Sequence, residues 1–330
     1  MNIKISTNSA IIRWLILSAR QVVFIWYCQF MGAQQRKTEG NLAESIGIDT
    51  WSDAEILTAF VGGQERAIAA VKAAIPQISK AANAVAACLA GGGRLYYAGA
   101  GTSIRIGVQD GSELPATFDM AEDKIDYLIA GGHAAMFETL ADAEDDVEEG
   151  KRAALACKAG DALIAIAASG STPYTIAVAK RARELGAKVV AVVNNPNSAL
   201  AAAADIEIFL DSGPEVITGS TRMGAGTAQK AALNFLSTLV HIKLGAVHDG
   251  MMVNVRADNL KLKARARGIV SRIAKVSEKE AAAALELTSG EVKPAVLICA
   301  GAQSVDAARQ LLLESNGNLR LALSQLTAAR

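Results

Sequence analysis

The chain has 330 residues, enough for one large or two modest domains at roughly 150 residues each. Its 33 Lys and Arg balance its 33 Asp and Glu, which argues against a general nucleic-acid binder, since such a protein carries a basic excess or patch. Hydrophobic residues make up 51% but aromatics only 5%, so Ala, Val, Ile and Leu dominate; this excludes disorder, collagen and a disulfide-rich miniprotein and suits helices packed on a parallel sheet.

The first segment is unlike the rest. Residues 10–30 read AIIRWLILSARQVVFIWYCQF and hold Trp14, Phe24, Trp26, Tyr27 and Phe30. A spanning helix needs ~20 nearly uncharged apolar residues, and a charge at mid-bilayer costs roughly 2.5–3.5 kcal/mol. Arg13 and Arg20 interrupt this run, and no small-x-small cleavage site follows it. An amphipathic membrane-surface segment, a defective anchor and a non-native extension from an upstream start all fit; the extension is the expectation for residues 1–30, outside the fold, with Met31 opening the soluble protein and no membrane as partner.

Residues 31–63 read as a polar arm and a short helix, capped by Asp53, running to Phe60 and broken at Gly62–Gly63. Over a domain spanning 64–250, Ile68, Val71, Ile75, Ile78, Val85 and Leu89 first recur at helical spacing; Pro76 should kink or divide that helix, and Gly91–Gly93 end it. Five short apolar runs follow, at 94–99, 125–130, 162–168, 188–193 and 206–210, with helical stretches such as 172–186 between them. Strands alternating with helices predict right-handed βαβ units and an α/β fold with a five-stranded parallel sheet flanked by helices. A long helix is expected over 220–244. Residues 256–330 show no strand and read as a small all-helical subdomain with Ser or Asn caps and Gly stops. Cys28, Cys88, Cys157 and Cys299 lie far apart without CxxC spacing, which predicts free thiols in a reducing cytoplasm and no metal site.

Two strand-to-helix loops carry the chemistry. One is Gly101-Thr102-Ser103 after the first strand; the other is Ser169-Gly170-Ser171-Thr172 after the third. Each opens a helix, so backbone N–H groups and the positive end of a helix dipole would meet a phosphate at the C-terminal edge of the sheet. The same residues would equally build a plain capped turn, with Gly for conformation and Ser or Thr as the cap. Ile104 stands where a dinucleotide fingerprint needs its third glycine, and no GxxxxGK[ST] occurs. Glu113 ends the helix that the first loop opens, flanked by Leu114 and Pro115, which could raise its pKa and suit it to proton transfer. Glu144 lies among Asp142, Asp145, Asp146, Glu148 and Glu149, so charge alone does not single it out.

The segments GAGTSIRIGVQDGSELPATF, LIAGGHAAMFETLADAEDD, IAASGSTPY, GPEVITGSTRMGAGTAQKAALNFLST and DNLKLKARA resemble, in order, blocks of the N-acetylmuramic acid 6-phosphate etherases of the SIS (sugar isomerase) domain superfamily. The resemblance runs from about Thr38 to the C-terminus and includes a three-helix, ubiquitin-associated-like end. It implies a lyase of cell-wall amino-sugar recycling, without metal or redox cofactor. Its substrate would be a phosphorylated amino sugar carrying D-lactate as an ether on C3. Removal of the C2 proton from the open-chain sugar would expel lactate, and water would add back at C3. Glu113 matches the proton donor to lactate and Glu144 the second carboxylate, plausibly the C2 base, with the two roles open to exchange. Gly101, Thr102, Ser103, Ser169, Gly170, Ser171 and Thr172 would hold the phosphate. Where the family carries a glycine, Ile104 is expected to add bulk beside the sugar. The resemblance further implies a homodimer with its active site at the interface, for which apolar stretches such as 230–244 are the sequence support. An aldose–ketose phosphosugar isomerase, with His133 near the sugar, and a non-catalytic phosphosugar sensor are the alternatives.

Overall fold

The structure, a computed structural model, describes residues 37–328 apart from Thr139, Ala141 and Asp258. The expected extension at 1–30 and its boundary at Met31 lie outside the described residues. Helix α1 (Asp53–Ala73) begins one residue earlier in its capping than expected. Ser52, not Asp53, is the cap, and its backbone N–H donates to Glu55 in return, a reciprocal capping box. Nor does α1 break at Gly62–Gly63. A Cβ on Gly63 would lie 3.3 Å from Val216 Cγ2, so the glycine admits a close neighbour while the helix runs on. The boundary expected between residues 63 and 64 therefore falls within a helix. Pro76 does divide the run: it sits in the first turn of α2 (Ile75–Ala90), where its missing N–H is not needed.

The sheet comprises β1 (Leu95–Gly99), β2 (Ile125–Ile129), β3 (Ala162–Ala167), β4 (Lys188–Val193) and β5 (Ile206–Phe209), all parallel in the order β2-β1-β3-β4-β5. Between strands lie α3 (Gly101–Ser112), α4 (Leu114–Phe118), α5 (Val147–Ala153), α6 (Pro173–Glu184) and α7 (Ala199–Ala203), and α8 (Gly224–Lys243) follows β5. One face packs Leu95, Tyr97, Ile164 and Val192 against α1–α4 and α8; the other packs Tyr96, Leu163 and Val189 against α6 and α7. Burial on both faces explains why the strands are nearly continuous apolar runs.

A hairpin not foreseen from sequence follows α8: β6 (Val247–His248) pairs with β7 (Met251–Met252). Asp249 and Gly250, at φ 47° and 73°, make the turn, since a tight hairpin needs two residues with positive φ. Among the described residues the all-helical C-terminal unit holds α9 (Leu260–Ala274), α10 (Glu278–Leu287), α11 (Val292–Cys299), α12 (Val305–Glu314) and α13 (Leu319–Ala328). α9 and α10 belong with the rest because Val270, Ala281, Val296, Ala308 and Ala322 share one core. Among the described residues no helix is long and apolar enough to cross a membrane.

Candidate active site

β1 and β3 are adjacent, yet their following helices lie on opposite faces of the sheet. This is the point where strand order reverses, and open α/β sheets leave a crevice there. Gly101, at φ 54°, starts α3, and its cap position is Ala100, which has no side-chain acceptor. On the other side of the crevice Thr172 precedes α6 but does not cap it. The Ser169 hydroxyl accepts from Ser171 N–H at 3.2 Å, which curls the loop so that its amides converge. Gly170 is fixed twice over: φ is 65°, and a Cβ would lie 2.3 Å from Ser198 Cβ. Both helix starts thus leave first-turn N–H groups without an intrahelical or side-chain acceptor. Six other helix starts close theirs, with Ser52, Asp146, Ser198, Asn259, Ser277 and Ser304 each accepting from the first turn, while α2, α4 and α11 also start without a side-chain cap but away from this crevice.

A third helix start completes the edge. Thr102 Cγ2 lies 3.8 Å from where a Cβ on Gly226 would be, so α8 begins beside the first loop. Here the amides are already taken: buried Glu215 accepts from Gly224 N–H and Ala225 N–H, both at 2.9 Å. The sequence reading missed Glu215, whose signal is a lone acid nine residues before an Ala/Gly-rich helix start. The edge therefore has two helix starts with open amides and one whose amides are taken by the protein's own carboxylate.

Ile104 does not stand beside the crevice. It is 1% exposed and packs into the sheet face, 3.3 Å from the Cβ position of Gly99, so its bulk goes to the core. This corrects the expectation that it would crowd a sugar. Ser103 is buried at the helix start, Thr102 half-buried and Gly101 exposed.

The two carboxylates occupy different places. Glu144 is exposed in a short turn (Ala143–Asp145) after β2, on the same sheet edge as the loops, and the turn packs against α6. Ala143 anchors it, 3.1 Å from the Cβ position of Gly131. Glu113 lies at the far end of α3, ten residues or about 15 Å of helix from Ser103. Its neighbours Ser112, Pro115 and Ala116 share a cleft with Ile125 and Tyr127, at the start of β2 and hence at the opposite sheet edge. Leu114 turns into the core while Glu113 is exposed, so the apolar flank does not enclose the carboxyl. A single chain brings Glu144 and the phosphate loops together and leaves Glu113 apart. His133 is exposed in a turn near Glu144's loop; His241 and His248 are buried, and burial holds both imidazoles below their ordinary pKa.

Residues 127–242 match the SIS domain family. An N-acetylmuramic acid 6-phosphate etherase from Streptomyces avermitilis is 46% identical over 289 residues, covering 87% of this chain and 93% of that protein. One from Symbiobacterium thermophilum is 48% identical over 262 residues, 79% of this chain and 87% of that protein. A third, from Deinococcus radiodurans, is 42% identical over 292 residues, 88% of this chain and 96% of that protein. Identity at that level over most of both chains means that the chain belongs to the N-acetylmuramic acid 6-phosphate etherase family.

Proposed function

We propose that this protein cleaves the D-lactyl ether of N-acetylmuramic acid 6-phosphate, giving N-acetylglucosamine 6-phosphate and D-lactate. The observation that carries the reading is the pair of uncapped helix starts at the reversal point of the sheet, in a chain so similar to etherases. The amides of Gly101–Ser103 and Ser169–Thr172, with their hydroxyls, hold the 6-phosphate. Glu144, on the same edge, takes the C2 proton of the open-chain sugar. Glu113 gives a proton to the lactate oxygen as the C3–O bond breaks, and then serves the water that adds to C3.

Glu113 cannot serve the phosphate loops of its own chain, since about 15 Å of helix separates them. A homodimer in which Glu113 reaches the partner's loops meets the need. In support, Leu57, Val61 and Ile68 form one exposed apolar stripe on α1, and Phe235 and Ile242 form another on the neighbouring α8. The cytoplasm suits such an enzyme, since its substrate is an intracellular phosphosugar and Cys88, Cys157 and Cys299 are free thiols.

The test measures D-lactate from N-acetylmuramic acid 6-phosphate. Glu113→Gln and Glu144→Gln should each abolish release while phosphosugar binding persists; full activity in either removes that residue from the mechanism. Ketose phosphate without lactate would instead make the protein an isomerase. Mixing Glu113→Gln with Ser171→Asp, which blocks the phosphate loop, should restore about a quarter of wild-type activity in re-formed dimers, because half the dimers are mixed and each has one intact site. No recovery would mean that Glu113 acts within its own chain.

A further inference from the structure

The turn that carries Glu113 is fastened from both sides to one helix. Three residues before it, Asp110 is buried, and its carboxylate accepts from Tyr97 O–H at 2.8 Å, Asn234 Nδ2 at 2.6 Å and Ser237 Oγ at 3.0 Å. Five residues after it, the Phe118 ring stacks on His241 at 4.4 Å and 10°. Asn234, Ser237 and His241 all belong to α8. The Glu113 N–H donates to the Asp110 carbonyl at 3.3 Å, so the backbone of the acid follows Asp110 directly.

The composition of this cluster is unusual for a core. Asp110 has no Lys or Arg partner among the described residues, and a buried carboxylate without a cation is costly unless donors satisfy it. An apolar residue would fill the space more cheaply, whereas a carboxylate with three directed donors fixes an angle. Burial and the neighbouring Asp110 raise the Tyr97 pKa well above its ordinary value, so its hydroxyl remains a donor throughout the working pH range. The His241 Nδ1–H is committed to the Ser237 carbonyl at 2.8 Å, leaving the ring face for Phe118.

We propose that Asp110 is a positioning residue for Glu113, registering the turn that bears the acid against α8, the same helix whose outer face presents Phe235 and Ile242. The role rests on the assignment of Glu113 as the proton donor to lactate. Dimer contact at α8 and placement of the acid then share one rigid strut: whatever seats α8 against the partner also aims Glu113.

The experiment separates the two half-reactions. Transfer of deuterium from solvent to C2 reports Glu144, and lactate release reports Glu113. Asp110→Asn should lower kcat for lactate release about tenfold or more, with KM within about twofold and C2 exchange at the wild-type rate, because misaiming a group by an ångström costs that much. Ser237→Ala, which removes one donor and keeps the fold, should show the same split at a few-fold loss, and it carries the test if Asp110→Asn does not fold. Release and exchange falling together in folded protein would reduce Asp110 to a stabilising role and overturn the proposal, as would wild-type kcat in both variants. Glu113→Gln is run alongside. If it releases lactate normally, the assignment of Glu113 fails, whatever Asp110 does; if it is inactive while Asp110→Asn and Ser237→Ala are normal, only the positioning role fails.

Discussion

Two helix starts at the crevice and three in the C-terminal unit use the same residue types for opposite ends. In the C-terminal unit Asn259, Ser277 and Ser304 turn their side chains inward and accept from their own first turns. At the sheet edge Ser169 bends its loop instead, Thr172 leaves its helix uncapped, and Ala100 has nothing with which to cap. A cap contributes stability of about 1 kcal/mol. By omitting two of them the protein forgoes that stabilisation and leaves those donors open, as the proposed phosphate site requires.

The comparison breaks most visibly at glycine. Gly170→Ala should abolish activity and cost several kcal/mol, because a Cβ would overlap Ser198 at a strained φ of 65°. Gly290→Ala, at φ 89° but facing open space in the helical unit, should cost only about 1 kcal/mol and leave kcat unchanged. Thermal melts and lactate assays on both variants check this, and equal losses would remove the contrast. Substituting hydroxyls should dissociate binding from folding. Thr172→Ala is expected to raise KM about tenfold with stability within 0.5 kcal/mol, while Ser277→Ala should cost about 1 kcal/mol with KM unmoved.

Buried cations divide the regions as well. Lys293 lies in the helical unit, donates to the Gly317 carbonyl at 2.7 Å, and burial lowers its pKa to about 8. Its folded pKa is below the unfolded value, so between about pH 8 and 10 the unfolded chain holds more protons and stability rises with pH. Against Lys293→Met, wild type should gain up to about 3 kcal/mol across that window, and a flat difference would contradict the burial. The smallest effect belongs to salt: KM should change less than about twofold between low and physiological ionic strength, since neither phosphate loop bears a charged side chain.

Much of this was legible in sequence because the cause was local. The strands read directly, since burial on both faces makes each an apolar run, and Pro76 marked a real division. What stayed hidden depends on distant contacts. The continuity of α1 is decided at Val216, far along the chain from Gly63. Ile104 looked like a wall of the site because its neighbours in sequence are site residues, but helical phase turns it onto the sheet. The spacing from Ser103 to Glu113 could be counted, yet only the placement of α3 across the sheet puts the two at opposite sheet edges. Glu215 lies in a recognisable segment, but its capping of α8 from nine residues away emerges only from the fold.

The arrangement of α3 and α6 has a kinetic consequence. Amide dipoles act over a few ångströms, whereas a lysine cluster reaches out about a Debye length, some 8 Å in physiological salt. On the proposed function, an edge built from N–H groups and hydroxyls would not draw phosphates in from solution but would sort them after they arrive. Encounter rates would then follow substrate concentration and simple diffusion.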